Sequence, residues 1–357
     1  MRKNFLLAVL FVGSWITGTS SILQAQSALL DLPRASQRAA VIQRIGITNI
    51  TIRYHRPLVN GRNVWTRGIA PYGEVWRAGA NENTIFEVSD PVSVEGQPLA
   101  KGIYGLHMIP GEKEWTVIFS KNASSWGSFS YDKAEDALRV TVKPQPAEFH
   151  EALTYDFDDV KPNSATVTLR WDKVAVFFKV EADVKEIVKQ SLHNQLRGRA
   201  QYEWQSWDEA ANYFLDSKTN LEEALKDTDR SMQLEKRFEN LMTKSQVLDA
   251  LGRKDEATTI RTEALANGTG LQVHSYGRQL MIQGHQAQAF EVFRSNLKKY
   301  PDEWYSHGEA ARMACAQGDF DNAVKEMKLA VAKAPDPIKP GIEALVKRLE
   351  AKEDINK

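Results

Sequence analysis

The chain has 357 residues, and its 46 Lys and Arg balance its 46 Asp and Glu, so the formal net charge is zero. This length accommodates about two domains, and the hydrophobic fraction of 42% is that of a globular protein. The charge balance argues against a dedicated nucleic-acid binder, because such proteins need a basic surplus to displace counterions from phosphates. The only cysteine, Cys315, excludes an intramolecular disulfide, so stability must come from the core.

The N-terminus has the order of features found in a secretory signal peptide. Arg2 and Lys3 precede an apolar run from Phe5 to Val12, and Ala25 provides a small residue for cleavage. The alternatives are a membrane anchor or a buried helix, but a spanning helix needs about 20 apolar residues. We therefore expect residues 1–26 to be a cleaved leader, and the mature chain to be periplasmic or extracellular without a transmembrane anchor.

Most of the sequence from Ile47 to Val180 alternates in polarity with the period of β-strands, and we assign residues 27–184 to a β-domain. Ile50, Ile52 and Tyr54 would share one strand face, whereas His55 would point to the other. Similar runs occur at Leu138–Val142, Leu153–Phe157 and Ala165–Trp171. About eight such strands, without helical patterns between them, predict an antiparallel β-sandwich or barrel, and we expect the sandwich.

Residues 185–357 change to a helical period with a repeat of 34 residues. The repeated positions are Gly284, Ala289, Phe293 and Pro301, which match Gly318, Ala323, Met327 and Pro335. Gly252 and Ala257 continue the pattern one unit earlier. Small residues at these points allow two helices to approach closely, so the pattern resembles the tetratricopeptide repeat. The predicted fold class is therefore α+β multidomain, with a β-sandwich followed by three or four helical hairpins.

The segment from Tyr54 to Asn83 is rich in arginine, aromatic residues and glycine, without strand or helix periodicity. Arginine offers a planar fork for carboxylate, sulfate or phosphate, and an aromatic ring offers a flat face for sugars or cations. The opposing interpretation is that these residues satisfy the backbone of a long loop and fill the core. The candidate ligand-binding residues are Tyr54, His55, Arg56, Arg62, Trp76, Arg77, Asn81, Glu82 and His107.

Several blocks of this region resemble a bacterial family of unknown function numbered 2911. The blocks are Tyr54–Pro57, Gly61–Arg62, Pro71–Gly73, Trp76–Glu82, Gly102–Leu106 and Glu114–Ile118. The resemblance covers roughly residues 33 to 184, and the Trp-Arg-x-Gly-Ala-Asn block is its most specific part. It implies an exported protein and a domain boundary, with helical repeats behind the domain in some members. It implies no activity.

The sequence contains no complete catalytic or cofactor-binding motif, so we expect no cofactor. Zinc sites need three or four ligands, and the histidines lack the usual paired spacing. His55 and His107 lie on predicted strands, where they could meet Glu74 or Glu82 in a metal or acid–base site.

We expect a non-enzymatic binding or scaffolding protein of the cell envelope. Its repeats would contact a protein partner, and its Arg/Trp loop would receive an anionic or carbohydrate ligand. The repeats would otherwise be a structural appendage or a dimer surface. The alternative function is an envelope hydrolase or lyase with a polar pocket around His55, Arg77 and His107.

Overall fold

The computed structural model describes residues 32–66 and 68–356. The leader predicted at residues 1–26 lies outside these ranges. The chain divides into two compact units between Val188 and Lys189, which we call the β-unit and the helical unit. In the described ranges, no helix has both the length and the apolar character that crossing a membrane requires.

The β-unit consists of two antiparallel sheets. Its strands are β1 (Gln37–Ile45), β2 (Thr48–Arg56), β3 (Thr84–Val88), β4 (Val92–Val94), β5 (Gln97–Leu99), β6 (Gly102–Ile109), β7 (Trp115–Ser120), β8 (Asp136–Val142), β9 (Gln145–Lys161) and β10 (Ser164–Glu181). One sheet has the order β1-β2-β3-β6-β7-β8, and the other has the order β5-β4-β10-β9. The predicted antiparallel β-sandwich is confirmed.

The core lies between the two sheets, where every second residue of a strand points inward. Phe86 of β3 and Phe119 of β7 pack edge to face with ring centroids 4.9 Å apart. Phe178 of β10 meets Phe119 from the opposite sheet at 5.8 Å. The remaining side of the six-stranded sheet is its outer face, and it carries the residues with odd numbers on β2 and β6, such as His55 and His107.

A β-bulge in β10 changes which residues face the core. Leu169 and Trp171 point inward before the bulge, whereas Val176 and Phe178 do so after it. The pairing with β9 shifts register on both sides of Asp172, which has a φ of 52°. An extra residue in one strand inverts the alternation, so a single long strand can keep an apolar face toward the core along its length.

The long connection between β2 and β3 enters the core through tryptophan side chains. The Trp65 ring contacts those of Trp76, Trp115 and Trp171 at centroid distances of 6.2, 5.1 and 5.4 Å. Trp76 stacks on Trp171 with an interplanar angle of 17°. Trp65 Nε1 also donates a hydrogen bond to Asp172 Oδ2 at 3.1 Å. The connection is therefore fixed to both sheets.

The helical unit is an array of antiparallel hairpins, which follows α1 (Val184–Gln195). Its helices are α2 (Trp204–Asp216), α3 (Leu221–Leu234), α4 (Phe238–Ala250), α5 (Lys254–Asn267), α6 (Gly270–Ile282), α7 (Gln286–Lys299), α8 (Trp304–Ala316), α9 (Phe320–Lys333) and α10 (Lys339–Glu350). The hairpins are α2/α3, α4/α5, α6/α7 and α8/α9, and α10 packs on α9. The predicted array of repeated helical hairpins is confirmed.

The repeated small residues have two physical roles in these hairpins. Gly252, Gly284 and Gly318 lie in the turns with φ values of 79°, 81° and 79°, a left-handed conformation that glycine adopts without strain. Gly277 allows Phe293 to approach, because a Cβ there would lie 2.3 Å from Cε1 of that ring. The turn of the first hairpin instead has Lys218 in the left-handed conformation, with φ of 52°.

We expect Gly284→Ala to destabilise the helical unit and Lys218→Gly to stabilise it, each by about 1 kcal/mol. A Cβ at Gly284 would meet no atom within 4 Å, so the substitution changes the backbone preference alone. Urea unfolding followed by circular dichroism gives both free energies. Gly308→Ala is the control, because Gly308 lies inside α8 in open space, where alanine should stabilise by roughly 0.5–1 kcal/mol. Equal stability of Gly284→Ala and the unmodified chain would contradict this account of the turns.

Candidate functional site

A row of polar residues crosses the outer face of the six-stranded sheet. Arg38 of β1 is opposite His55 of β2, and His107 of β6 is opposite Ile118 of β7. Asn83 directly precedes β3, and the register of β3 places it between the two histidines. Since neighbouring strands are about 4.8 Å apart, the backbones of His55 and His107 lie roughly 10 Å apart on the same face.

His55 belongs to a charged cluster with Glu82 and Arg34. Arg34 Nη1 donates hydrogen bonds to both carboxylate oxygens of Glu82, at 2.8 and 2.9 Å. His55 Nε2 lies 3.5 Å from Glu82 Oε2. Burial lowers the pKa of His55, and the positive charges of Arg34 and Arg38 add to this effect, so that together they outweigh the opposing charge of Glu82. His55 is therefore neutral at physiological pH.

Glu82 remains ionised in this cluster. Burial by itself would raise its pKa, but the hydrogen bond from Arg34, a backbone hydrogen bond and the positive charge of Arg34 lower it below the usual value. The cluster thus combines an ionised carboxylate, a neutral imidazole and a guanidinium, all of them partly exposed. Such a set can accept and donate hydrogen bonds to a polar ligand.

His107 occupies an enclosed position instead. It is 2% exposed, its Nδ1 lies 2.8 Å from Ser128 Oγ, and its ring packs against Tyr131 at 5.3 Å. Burial lowers its pKa to about 4, Asp136 opposes the shift, and Arg77 adds to it. The neutral ring holds the loop above it and is not accessible to a ligand in solution.

Residues 121–131, between β7 and β8, form a loop over this polar row, which we call the covering loop. The backbone N–H of Asn83 donates to the carbonyl of Ser125 at 3.2 Å, and Glu82 and Trp126 form an isolated β-bridge. Gly127 has a φ of 70°, and a Cβ there would lie 2.8 Å from the Arg77 guanidinium carbon. Glycine is therefore required where the loop passes over Arg77.

The covering loop presents two aromatic side chains to solvent. Trp126 is 52% exposed and Phe129 is 84% exposed. The guanidinium of Arg34 lies 5.6 Å from the centre of the Trp126 ring, and that of Arg77 lies 5.5 Å from the centre of the Phe129 ring. We call Arg34, Arg38, Arg77, Trp126 and Phe129 the arginine–aromatic surface. Large exposed aromatic residues on a fixed loop are typical of binding surfaces.

Arg77 lies between Glu82 and the covering loop. It donates a hydrogen bond to the carbonyl of Asn81, and its guanidinium lies beside Gly127 and Phe129. Burial lowers its pKa, and the nearby Glu82 opposes the shift. Asn81 has a φ of 60°, and its amide donates to the carbonyl of Ser36 at 3.3 Å. The predicted residues Arg77, Asn81 and Glu82 are thus brought together with His55.

Four other predicted residues lie elsewhere. Tyr54 and Trp76 are buried in the core, where Tyr54 Oη accepts from the N–H of Tyr155 and Trp76 Nε1 donates to the carbonyl of Gly79. Arg56 donates to the carbonyl of Leu153 and to Thr154 Oγ1 on β9. Arg62 donates to the carbonyls of Val59 and Leu58 in its own loop. These side chains hold backbone segments together and do not join the surface around Glu82.

The structure limits the acid–base alternative. His55 and Glu82 are adjacent, but His107 is enclosed beneath the covering loop, and Glu74 is exposed in the turn after Pro71. In the part of the chain that the structure describes, no group of three or more His, Cys, Asp or Glu side chains is arranged to hold a metal ion. The site residues that sequence reasoning missed are Arg34, Arg38, Asn83, Trp126, Ser128 and Phe129.

The helical unit contains a separate groove of about 510 Å³ between α4 and α6. Its apolar lining consists of Phe238, Met242, Leu271 and Tyr276. Its polar lining includes the amides of Gln246, Gln272 and Gln279. α6 begins 32 residues after α4, whereas α4 begins 34 residues after α2, so the groove coincides with the irregular step in the repeat.

Comparison with known families assigns the β-unit. Residues 36–180 match the model of a family described as "Protein of unknown function (DUF2911)". This range extends from the start of β1 almost to the end of β10. The chain therefore consists of a DUF2911 domain followed by helical repeats, which confirms the resemblance found in the sequence.

Comparison with solved structures and with curated proteins does not assign the helical unit to a family. A solved structure described as "Crystal structure of APC/C hetero-tetramer Cut9-Hcn1" matches 46% of this chain with 21% identity and a TM-score of 0.31. The match covers 33% of that chain, so this chain spans about a third of its length. No curated protein matches this sequence.

We expect the β-unit to lose stability on acidification because of His107. Its pKa is about 4 in the folded chain and 6.5 in an unfolded chain, so the unfolded state binds the proton first as the pH falls. The stabilisation is complete above 6.5 and is lost toward about 4, with a total near 3 kcal/mol. Urea unfolding of the unmodified chain and of His107→Asn at several pH values measures the two slopes.

The prediction concerns the slope and not the absolute stability, since His107→Asn also removes the contact with Ser128. We expect the variant to show a flatter pH dependence between about 4 and 6.5. Parallel pH profiles for the unmodified chain and His107→Asn would contradict the assignment.

Proposed function

We propose that this protein is an exported interaction protein of the bacterial cell envelope, and that its helical unit binds an extended peptide segment of a partner protein. The groove between α4 and α6 carries this proposal. The family match gives no activity. The enclosed position of His107 argues against the hydrolase or lyase alternative.

The lining of the groove suits a peptide in an extended conformation. Leu271 is half exposed at its edge and offers apolar surface to a side chain of the partner. Gln246 and Gln279 carry amides that can both donate to and accept from a peptide backbone. An extended segment leaves its backbone groups unpaired, so such amides favour its binding.

The charge of the groove restricts the partner further. Glu239 lines it, and Gln272 donates a hydrogen bond to this carboxylate at 2.8 Å. No basic residue is among the lining residues in the described chain. A peptide with a bulky apolar side chain and neutral or basic neighbours fits this chemistry better than an acidic one.

Selection from a random displayed peptide library with the full mature chain tests this proposal. We expect enriched peptides to share a bulky apolar residue. Ser275→Trp should reduce their affinity at least tenfold, because Ser275 is an exposed lining residue and the indole would fill the groove. Thr258→Trp on the exposed surface of α5 is the matched control and should leave affinity unchanged. Lack of enrichment, or equal binding to both variants, would refute the role of the groove.

Export is proposed from the N-terminal sequence alone and is tested independently. We expect the mature chain in the periplasmic or extracellular fraction to begin after about residue 26, as measured by intact mass. Val9→Arg interrupts the apolar run and should leave the full-length chain in the cytoplasm. Recovery of unmodified, uncleaved chain from the cytoplasm would show that the N-terminal segment is not a leader.

A further inference from the structure

We propose that the arginine–aromatic surface of the β-unit binds an acidic oligosaccharide, that is, a sugar chain bearing carboxylates such as uronate residues. This inference is independent of the peptide groove and concerns a different unit of the chain. It rests on three properties of the surface. These are exposed aromatic rings on a fixed loop, an excess of positive charge, and the Glu82 carboxylate, which accepts hydrogen bonds beside the arginines.

The aromatic rings provide flat apolar surface at a fixed position. Trp126 and Phe129 are exposed by 52% and 84%, yet the loop that carries them is fastened by Asn83 and by the bridge between Glu82 and Trp126. The C–H groups on one side of a pyranose ring form an apolar face that can pack against such a ring. A fastened loop loses little conformational freedom on binding, which favours affinity.

The charges around the rings favour an anion. Arg34, Arg38 and Arg77 supply three positive charges, and Glu82 supplies one negative charge. His55 adds none at neutral pH, because burial and the neighbouring arginines keep it unprotonated. Guanidinium groups match carboxylates with paired hydrogen bonds, so they suit a uronate.

Glu82 and His55 distinguish a sugar from a simple polyanion. The Glu82 carboxylate and the neutral His55 ring can accept hydrogen bonds from sugar hydroxyl groups, which ionised phosphate and sulfate groups do not carry. A uronate presents hydroxyl donors and a carboxylate on one ring, so it can satisfy Glu82 and the arginines together. The zero net charge of the chain also disfavours nucleic acid as the ligand.

Isothermal titration of the full mature chain with short oligogalacturonate and alginate oligosaccharides tests the proposal, with a neutral dextran oligosaccharide and a single-stranded oligonucleotide as comparisons. We expect at least one acidic oligosaccharide to bind, with affinity that falls as salt is added. The neutral sugar and the oligonucleotide should bind at least tenfold more weakly.

Substitutions on this surface, each with a matched control elsewhere, test whether the oligosaccharide binds there. Trp126→Ala and Arg38→Glu should each weaken binding at least tenfold. Phe149→Ala removes a ring that is 51% exposed on β9, and Arg44→Glu changes an exposed arginine on the same strand as Arg38, so both should bind like the unmodified chain. Thermal unfolding of each variant confirms that it is folded.

Three outcomes overturn the proposal. Failure of every acidic oligosaccharide to bind removes the ligand class. Equal or tighter binding of the oligonucleotide shows that the surface recognises polyanions in general. Equal losses in the Phe149 and Arg44 controls show that the sugar does not bind at the arginine–aromatic surface.

Discussion

The contact of Trp65 with three other indoles anchors the connection between β2 and β3, which carries Arg77 and Glu82 of the candidate surface. Trp115 belongs to the six-stranded sheet and Trp171 to the four-stranded sheet, while Trp65 and Trp76 come from the connection between β2 and β3. Trp65 contacts all three other rings and Trp76 also stacks on Trp171, so the four indoles bury a large apolar area. Because the hydrogen bond from Trp65 to Asp172 uses the β10 bulge, the bulge and the connection stabilise each other.

The same packing fixes the residues that follow Trp76. The carbonyl of Ala78 accepts hydrogen bonds from Tyr155 Oη and Thr84 Oγ1, at 2.9 and 3.1 Å. Ala78 and Asn81 both have positive φ, a conformation that non-glycine residues adopt only when their surroundings enforce it. The chain thereby turns from the core to the outer face within a few residues, and Glu82 emerges beside Arg34. The buried aromatic cluster therefore positions Arg77 and Glu82, whereas Arg34 and Arg38 come from β1 and the segment before it.

The sequence predicted the two-part fold because the alternation of polar and apolar residues and the 34-residue repeat are both visible in the sequence alone. It did not predict the bulge at Asp172, since that irregularity depends on pairing with β9. Composition pointed to the segment containing His55 and Glu82 but could not separate a packed indole such as Trp76 from an exposed one. The sequence did not identify Arg38 and Trp126 as site residues, because they are distant from Glu82 in the chain. Only the register of β1 and the path of the covering loop bring them to the same surface.

The exposure of Trp126 also makes its fluorescence emission a probe of the covering loop. Trp65, Trp76, Trp115 and Trp171 are buried, and among the tryptophans in the described ranges Trp126 has the most exposed ring. An indole in water emits at longer wavelength than one in a core, and a nearby guanidinium perturbs it further. Changes at the covering loop would therefore register at the red edge of the emission spectrum, in addition to the emission of Trp204, Trp207 and Trp304 in the helical unit.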